Sequence, residues 1–183
     1  MPASPGYSTG APFAGTGSTA VAVEKLTLER LKDVLSYDPE TGLFYWRYGR
    51  PKVKAGAVAG GKMLNGYIVI RIDLVLYRAH RLAWLYVHGK WPAEHIDHIN
   101  RDVGDNRISN LREATRSQNM ANAKCKVNSR SGFKGVIASG SKWRAYLGGY
   151  KTKHIGSFDT PEEAHAAYLA AARQRHGDFA RGE

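Results

Sequence analysis

The chain has 183 residues, 43% of them hydrophobic, with 10 tyrosines and 4 tryptophans, enough for one medium domain or two small ones with a packed core. No run of about eighteen apolar residues occurs, which argues against a membrane span, and the single cysteine, Cys125, excludes an intramolecular disulfide and a multi-cysteine zinc site and points to a reducing, cytoplasmic setting. A formal net charge of +11 favours polyanionic partners through steering and counterion release.

The first twenty residues carry no charged side chain and are rich in Gly, Ser, Ala, Thr and Pro, so residues 1–22 read as a disordered tail. Residues 23–76 read as a helix and hairpin region that packs on the unit C-terminal to it. Leu28, Leu31 and Leu35 lie at helical spacing behind Thr27 as N-cap. Tyr37 to Gly42 reads as a turn and Leu43 to Trp46 as a strand. A Gly-rich basic stretch then reaches the hairpin signal Asn65-Gly66. Tyr67–Ile72 and Val75–Tyr77 form a hairpin joined by Asp73-Leu74, and His80–His88 a short helix closed by Gly89.

The next unit is 77–124. Glu94 to Ile99 and Leu111 to Ala114 read as strands separated by a loop of turn formers, from Asn100 to Asn110. Thr115-Arg116-Ser117-Gln118 matches a capping box, so a helix runs from Arg116 to Ala123. Within it, Asp97 is a hard oxygen ligand suited to Mg²⁺ or Mn²⁺. His98, its neighbour on a strand, points to the opposite face and is free to take a proton from water. Asn119, early in the helix, offers a second ligand oxygen.

A third unit lies beyond a basic linker. Phe133–Ala138, Trp143–Leu147 and His154–Phe158 read as three strands, and Thr160-Pro161-Glu162-Glu163 opens a helix with Ala164, Ala167, Tyr168 and Ala171 on one face. From Lys124 to His154 there are eight Lys or Arg and no Asp or Glu, interleaved with Phe133, Trp143, Tyr146 and Tyr150. That combination marks a nucleic-acid face. On a strand, Lys142, Arg144 and Tyr146 share one side while Trp143, Ala145 and Leu147 share the other, with Trp143 and Phe158 reading as core. The fold class expected for the whole chain is α+β.

The segment HIDHINRDVGDNRISNLREATRSQNMANA, with YRAHRLAWLYVHGKWP before it, resembles the HNH nuclease family in its phage and intron-associated variant. The likeness runs from Tyr77 to Ala123 and rests on Asp-His, Asp-Asn-Arg-x-x-Asn-Leu-Arg and Thr-x-x-Gln-Asn in order. It implies a ββα-metal fold that hydrolyses DNA phosphodiesters, with His98 as general base and Asn110 bracing the loop and orienting that base. Asp97 and Asn119 are implied as ligands of one divalent ion, Mg²⁺ or Mn²⁺, with Asn122 the alternative to Asn119. Arg101 or Arg107 is a candidate to hold the phosphate, or else a salt-bridged surface arginine.

Residues 129–181 resemble the AP2 domain, through Ser-Gly-Phe-Lys-Gly-Val, Lys-Trp-Arg-Ala, His-Ile-Gly-Ser-Phe and Glu-Glu-Ala-x-x-Ala-Tyr. The likeness implies a three-stranded antiparallel sheet on one helix that enters the major groove of double-stranded DNA. Lys134, Lys142, Arg144, Tyr146, Lys151 and Lys153 are its candidate contacts. The joint expectation is a homing-type endonuclease, phage or mobile-element in character, acting as a monomer or weak dimer. The alternative is a non-catalytic DNA-binding regulator with a degenerate nuclease domain. RNA binding is disfavoured because the paired aromatic motifs of single-strand readers are missing.

Overall fold

The computed structural model describes residues 26–125, 129–148 and 153–181. The expected tail and Lys151 lie outside them. In chain order the elements are α1 (Leu28–Val34), β1 (Leu35–Asp38), β2 (Leu43–Trp46), β3 (Gly61–Lys62), β4 (Ile68–Ile72), β5 (Val75–Arg78), α2 (Ala79–His88), β6 (His95–His98), β7 (Leu111–Ala114), α3 (Arg116–Asn122), β8 (Val136–Ser139), β9 (Lys142–Leu147), β10 (Lys153–Phe158) and α4 (Pro161–His176). Short 3-10 turns at Ile108–Asn110 and Gly177–Phe179 complete it. No helix among the described residues is long and apolar enough to cross a membrane.

Local signals set most of these boundaries. The Thr27 hydroxyl accepts from the Arg30 N–H and starts α1. That helix ends one residue short of the last leucine in its spacing, because Leu35 leaves it to begin β1. The turn expected from Tyr37 accordingly starts later: Tyr37 and Asp38 stay extended and pair with Phe44 and Leu43. Asp73 and Leu74 both take positive φ (47° and 67°), the backbone of a tight hairpin turn whose twist suits its flanking strands.

Two hydrophobic clusters hold the chain. The first joins Leu31, Leu35, Phe44, Ile70 and Leu82 to Ile96 and Leu111, so the N-terminal elements and the β6–β7 ribbon share one core. Each such fully buried large side chain contributes about 1.5–3 kcal/mol. The second gathers Val136, Ala145, Leu147, Ala164, Tyr168 and Ala172, with Trp143 and Phe158 packed against it as the sequence leads one to expect. There β8, β9 and β10 form an antiparallel sheet in the order β10-β9-β8, covered by α4. Pro161 and a reciprocal Thr160–Glu163 capping box open α4.

The first strand of this sheet begins at Val136, not at Phe133. Gly135 has φ +76°, and a Cβ there would lie 2.2 Å from the Tyr168 ring. The chain bends at this point so that its backbone can lie against Tyr168. Gly135→Ala combines overpacking with left-handed strain and is expected to cost about 2–4 kcal/mol. Gly132, at φ +71° with open space around its Cβ position, isolates the strain alone. Urea denaturation of the two alanine variants checks this, and equal losses would contradict the clash.

Candidate active site

β6 and β7 pair with Asp97 opposite Arg112 and His98 opposite Leu111. Side chains alternate along a strand, so Asp97 faces α3 and His98 faces α2. Both are 4% exposed, since each face of this narrow ribbon is covered by a helix.

The Asp97 carboxylate is held from two directions. Arg112 Nε donates to Oδ2 at 2.9 Å, across the ribbon. From α3, Asn122 Nδ2 donates to Oδ1 and Oδ2 at 3.0 Å each and to the His98 carbonyl at 2.9 Å. Three acceptors around one amide nitrogen fix which way that amide points, because an oxygen turned to them would meet only lone pairs. Asn122 is therefore a donor that orients Asp97, and its own Oδ1 faces elsewhere, buried and without a partner. Asn119 lies one turn earlier on α3, half-buried. Its N–H bonds to the Thr115 carbonyl as part of the helix.

His98 lies edge-on to His80, with ring centroids 5.0 Å apart, and 6.1 Å from Tyr67. Burial lowers its pKa from the ordinary value, opposed by the amide of Asn106 beside it and by Asp97, Asp105 and Asp102. Neutral imidazole is thus the resting form at pH 7, the form that can accept a proton. Its Nε2 is buried with no partner.

His80 is more strongly perturbed, pushed down to about 3 by burial and then by the charges of His98, Arg78 and Arg81. An unfolded histidine takes up its proton near pH 6.5. Between those values the unfolded state binds more protons, so the stabilisation is complete above about pH 6.5 and is lost as the pH falls. The expected loss is about 1.4 kcal/mol per pH unit below that point. Urea midpoints measured from pH 7 to 5 should fall less steeply in His80→Phe, and parallel profiles would show that His80 is not held neutral.

The loop between the strands is braced by Asn110, 7% exposed. Its Oδ1 accepts from the Asn100 N–H at 2.9 Å and its Nδ2 donates to the Asp105 carbonyl at 2.9 Å, tying the two ends of the loop together. Arg107 spends its guanidinium on Asp105, at 2.9 and 2.6 Å, and holds that carboxyl down to about 2. Arg107, one of the two arginines considered for phosphate, is thus salt-bridged. Arg101 sits at φ +65° in the turn after β6, its N–H donating to the His98 carbonyl.

Six buried side-chain polar atoms among the described residues have no hydrogen-bond partner, and five belong to this neighbourhood: His80 Nδ1, His98 Nε2, Asn106 Oδ1, Arg112 Nη2 and Asn122 Oδ1. Native interiors rarely leave such groups unmatched except where a function uses them. No group of three or more His, Cys, Asp or Glu that could hold a metal occurs among the described residues. The oxygen donors shown on this face are the Asp97 carboxylate and the buried Oδ1 of the Asn122 amide beside it, a set that fits a hard cation keeping most of its water, as Mg²⁺ does, and not zinc.

Sequence reasoning did not single out His80, Asn106 or Arg112. The strand register would have placed Arg112 opposite Asp97, and Asn106 stands inside the Asp-Asn-Arg triplet of the loop. His80 carries no local signal, because only the packing of α2 against the ribbon brings it to His98.

On the C-terminal sheet Arg144 is exposed and Tyr146 half-buried, with Ala145 and Leu147 turned to the core, as strand alternation requires. Lys142 is exposed and paired with Asp159. Lys153 is exposed at the start of β10. Lys134 departs from the expected DNA face. Its Nζ donates to the carbonyls of Met120, Ala121 and Ala123 at 2.9, 2.5 and 2.6 Å, closing the C-terminus of α3. A cation suits the negative end of a helix. Burial pushes this ammonium down to about 8, which leaves it protonated at neutral pH.

Residues 77–121 match the family model of the HNH endonuclease, and the chain carries an HNH endonuclease domain there. Over 118 residues, 63% of this chain, it is 32% identical to an uncharacterized HNH endonuclease, L560, of Acanthamoeba polyphaga mimivirus. The match spans 62% of that relative's length. No solved structure matches.

Proposed function

We propose that this chain is a metal-dependent DNA endonuclease whose centre is Asp97, His98, Asn110 and Asn119. The observation that carries the reading is the pairing on one ribbon of a buried carboxylate and a buried neutral histidine on opposite faces. His98 takes the proton from the attacking water as that water adds to phosphorus. Asn110 keeps the loop, and so the histidine, in place.

Asp97, oriented by Asn122 and Arg112, and Asn119 are the residues that would hold a divalent cation, Mg²⁺ or Mn²⁺. Such an ion supplies charge compensation on the phosphoryl oxygens and the leaving 3′-oxygen. Asn119 is preferred to Asn122 because the Asn122 amide already presents its N–H groups to Asp97 and His98.

The C-terminal sheet would position the enzyme on double-stranded DNA in the manner of an AP2 domain. Arg144, Tyr146 and Lys153 are its exposed or half-exposed candidates, with Lys142 beside them and Lys151 outside the described residues. A homing-type role, phage or mobile-element in character, combines a nuclease centre with such a separate DNA grip. The test is supercoiled plasmid incubated with the full chain in Mg²⁺ and in EDTA. Opening of the circle only with metal is expected. Tight binding with no cleavage under any divalent metal would overturn the enzyme reading in favour of a DNA-binding regulator.

A further inference from the structure

The C-terminal unit reaches the nuclease centre itself. The Arg112 guanidinium lies 3.6 Å from the centroid of the Phe179 ring, and its Nη1 is 3.5 Å from the Asp178 carbonyl. Both residues belong to the 3-10 turn that ends α4. The same guanidinium donates through Nε to Asp97 Oδ2 at 2.9 Å, with its side chain 19% exposed. Two further residues fasten the units at the same end of α3: Lys134, whose ammonium donates to its last carbonyls, and Arg181, whose N–H donates to Ala121 O at 3.4 Å.

An arginine across a ribbon from an aspartate has several staggered rotamers that keep it in water. A ring face against the guanidinium plane selects the one that lies flat, with Nε turned to the carboxylate. Phe179 supplies that face, and no residue of the β6–β7 ribbon or of α3 is a Phe, Tyr or Trp.

We infer that Phe179 is a positioning residue of the nuclease centre: by stacking on Arg112 it locks the guanidinium onto Asp97 Oδ2 and so sets the direction of the carboxylate. The C-terminal unit is then part of the catalytic apparatus as well as a grip on DNA. A chain that binds DNA with this turn undocked binds without cutting efficiently. The consequence for cleavage rests on the nuclease reading, though the contact does not.

The test compares Phe179→Leu, which keeps apolar bulk without a ring face, with Phe179→Tyr, which keeps the face. Two quantities are measured on the full chain: kcat and KM for cleavage of a duplex in Mg²⁺, and solvent exchange of the Arg112 Nε–H by NMR without metal or DNA. Phe179→Leu should lower kcat about tenfold, the scale of a desolvated cation–π contact, with KM unchanged. It should also speed exchange of the Arg112 Nε–H, and Phe179→Tyr should restore both. Wild-type kcat and exchange in Phe179→Leu, or equal failure of Leu and Tyr, would overturn the clamp. If the wild-type chain cuts no duplex, the nuclease reading fails. The clamp is then decided by exchange alone: protection in wild type and Tyr but not in Leu upholds it, and equal exchange in all three overturns it.

Discussion

Replacing His98 by alanine should lower the cleavage rate of bound DNA by about 10²–10⁴-fold, the usual contribution of a positioned proton acceptor. The size of the effect reflects a site with one such group. Asp97 is occupied by Arg112 and Asn122, and His80, held down to about 3 and buried behind His98, is a poor base. Alanine also removes a ring packed against His80 and Tyr67, so some stability is lost with it. His98→Gln separates the two effects: it fills most of the space and has no basic nitrogen. Both variants should bind duplex DNA like the wild type and both should fail to turn over. A glutamine variant that cuts at the wild-type rate would remove His98 from the chemistry.

The second large effect is at Asp97, where stability and function are joined. Asp97→Ala leaves a mostly buried guanidinium and the Asn122 amide without their shared acceptor. Removing one partner of a buried pair costs about 3–5 kcal/mol. The stack of Arg112 on Phe179 and its 19% exposure put this case at the low end of that range. Asp97→Asn keeps the volume and one acceptor oxygen, so its thermal midpoint should lie between those of wild type and alanine. Cleavage should be lost in both, since neither keeps the anionic ligand. Mg²⁺-dependent cleavage surviving in Asp97→Asn would mean that the carboxylate serves Arg112 and not a metal.

The order strand, polar loop, strand, capped helix was legible because each boundary has a local cause: the turn formers of the loop, and the Thr115–Gln118 capping box that opens α3. The opposite facing of Asp97 and His98 was legible for the same reason, as it needs only the period of a strand. What the sequence did not disclose depends on distance. Lys134 looks like its basic neighbours until the chain folds and the carbonyl end of α3 comes within reach of its ammonium. Gly135 sits in a run that reads as strand, and only the Tyr168 ring behind it makes the bend necessary. Asn119 and Asn122 share one helix and one residue type, and no spacing rule tells an orienting donor from a candidate ligand. Only the hydrogen bonds of Asn122 to Asp97 and to the His98 carbonyl reveal its role as a donor. Arg112 and Phe179 are 67 residues apart, and their stack is visible only in three dimensions.

The most direct test of a catalytic His98 adds imidazole to the His98→Ala protein acting on supercoiled plasmid in Mg²⁺. The deleted ring leaves a space the size of the added base. Wild type should open the circle, the variant should not, and imidazole should restore cutting to the variant in proportion to its neutral fraction. Equal cutting by wild type and variant, or a variant that imidazole leaves inactive, would contradict a catalytic His98.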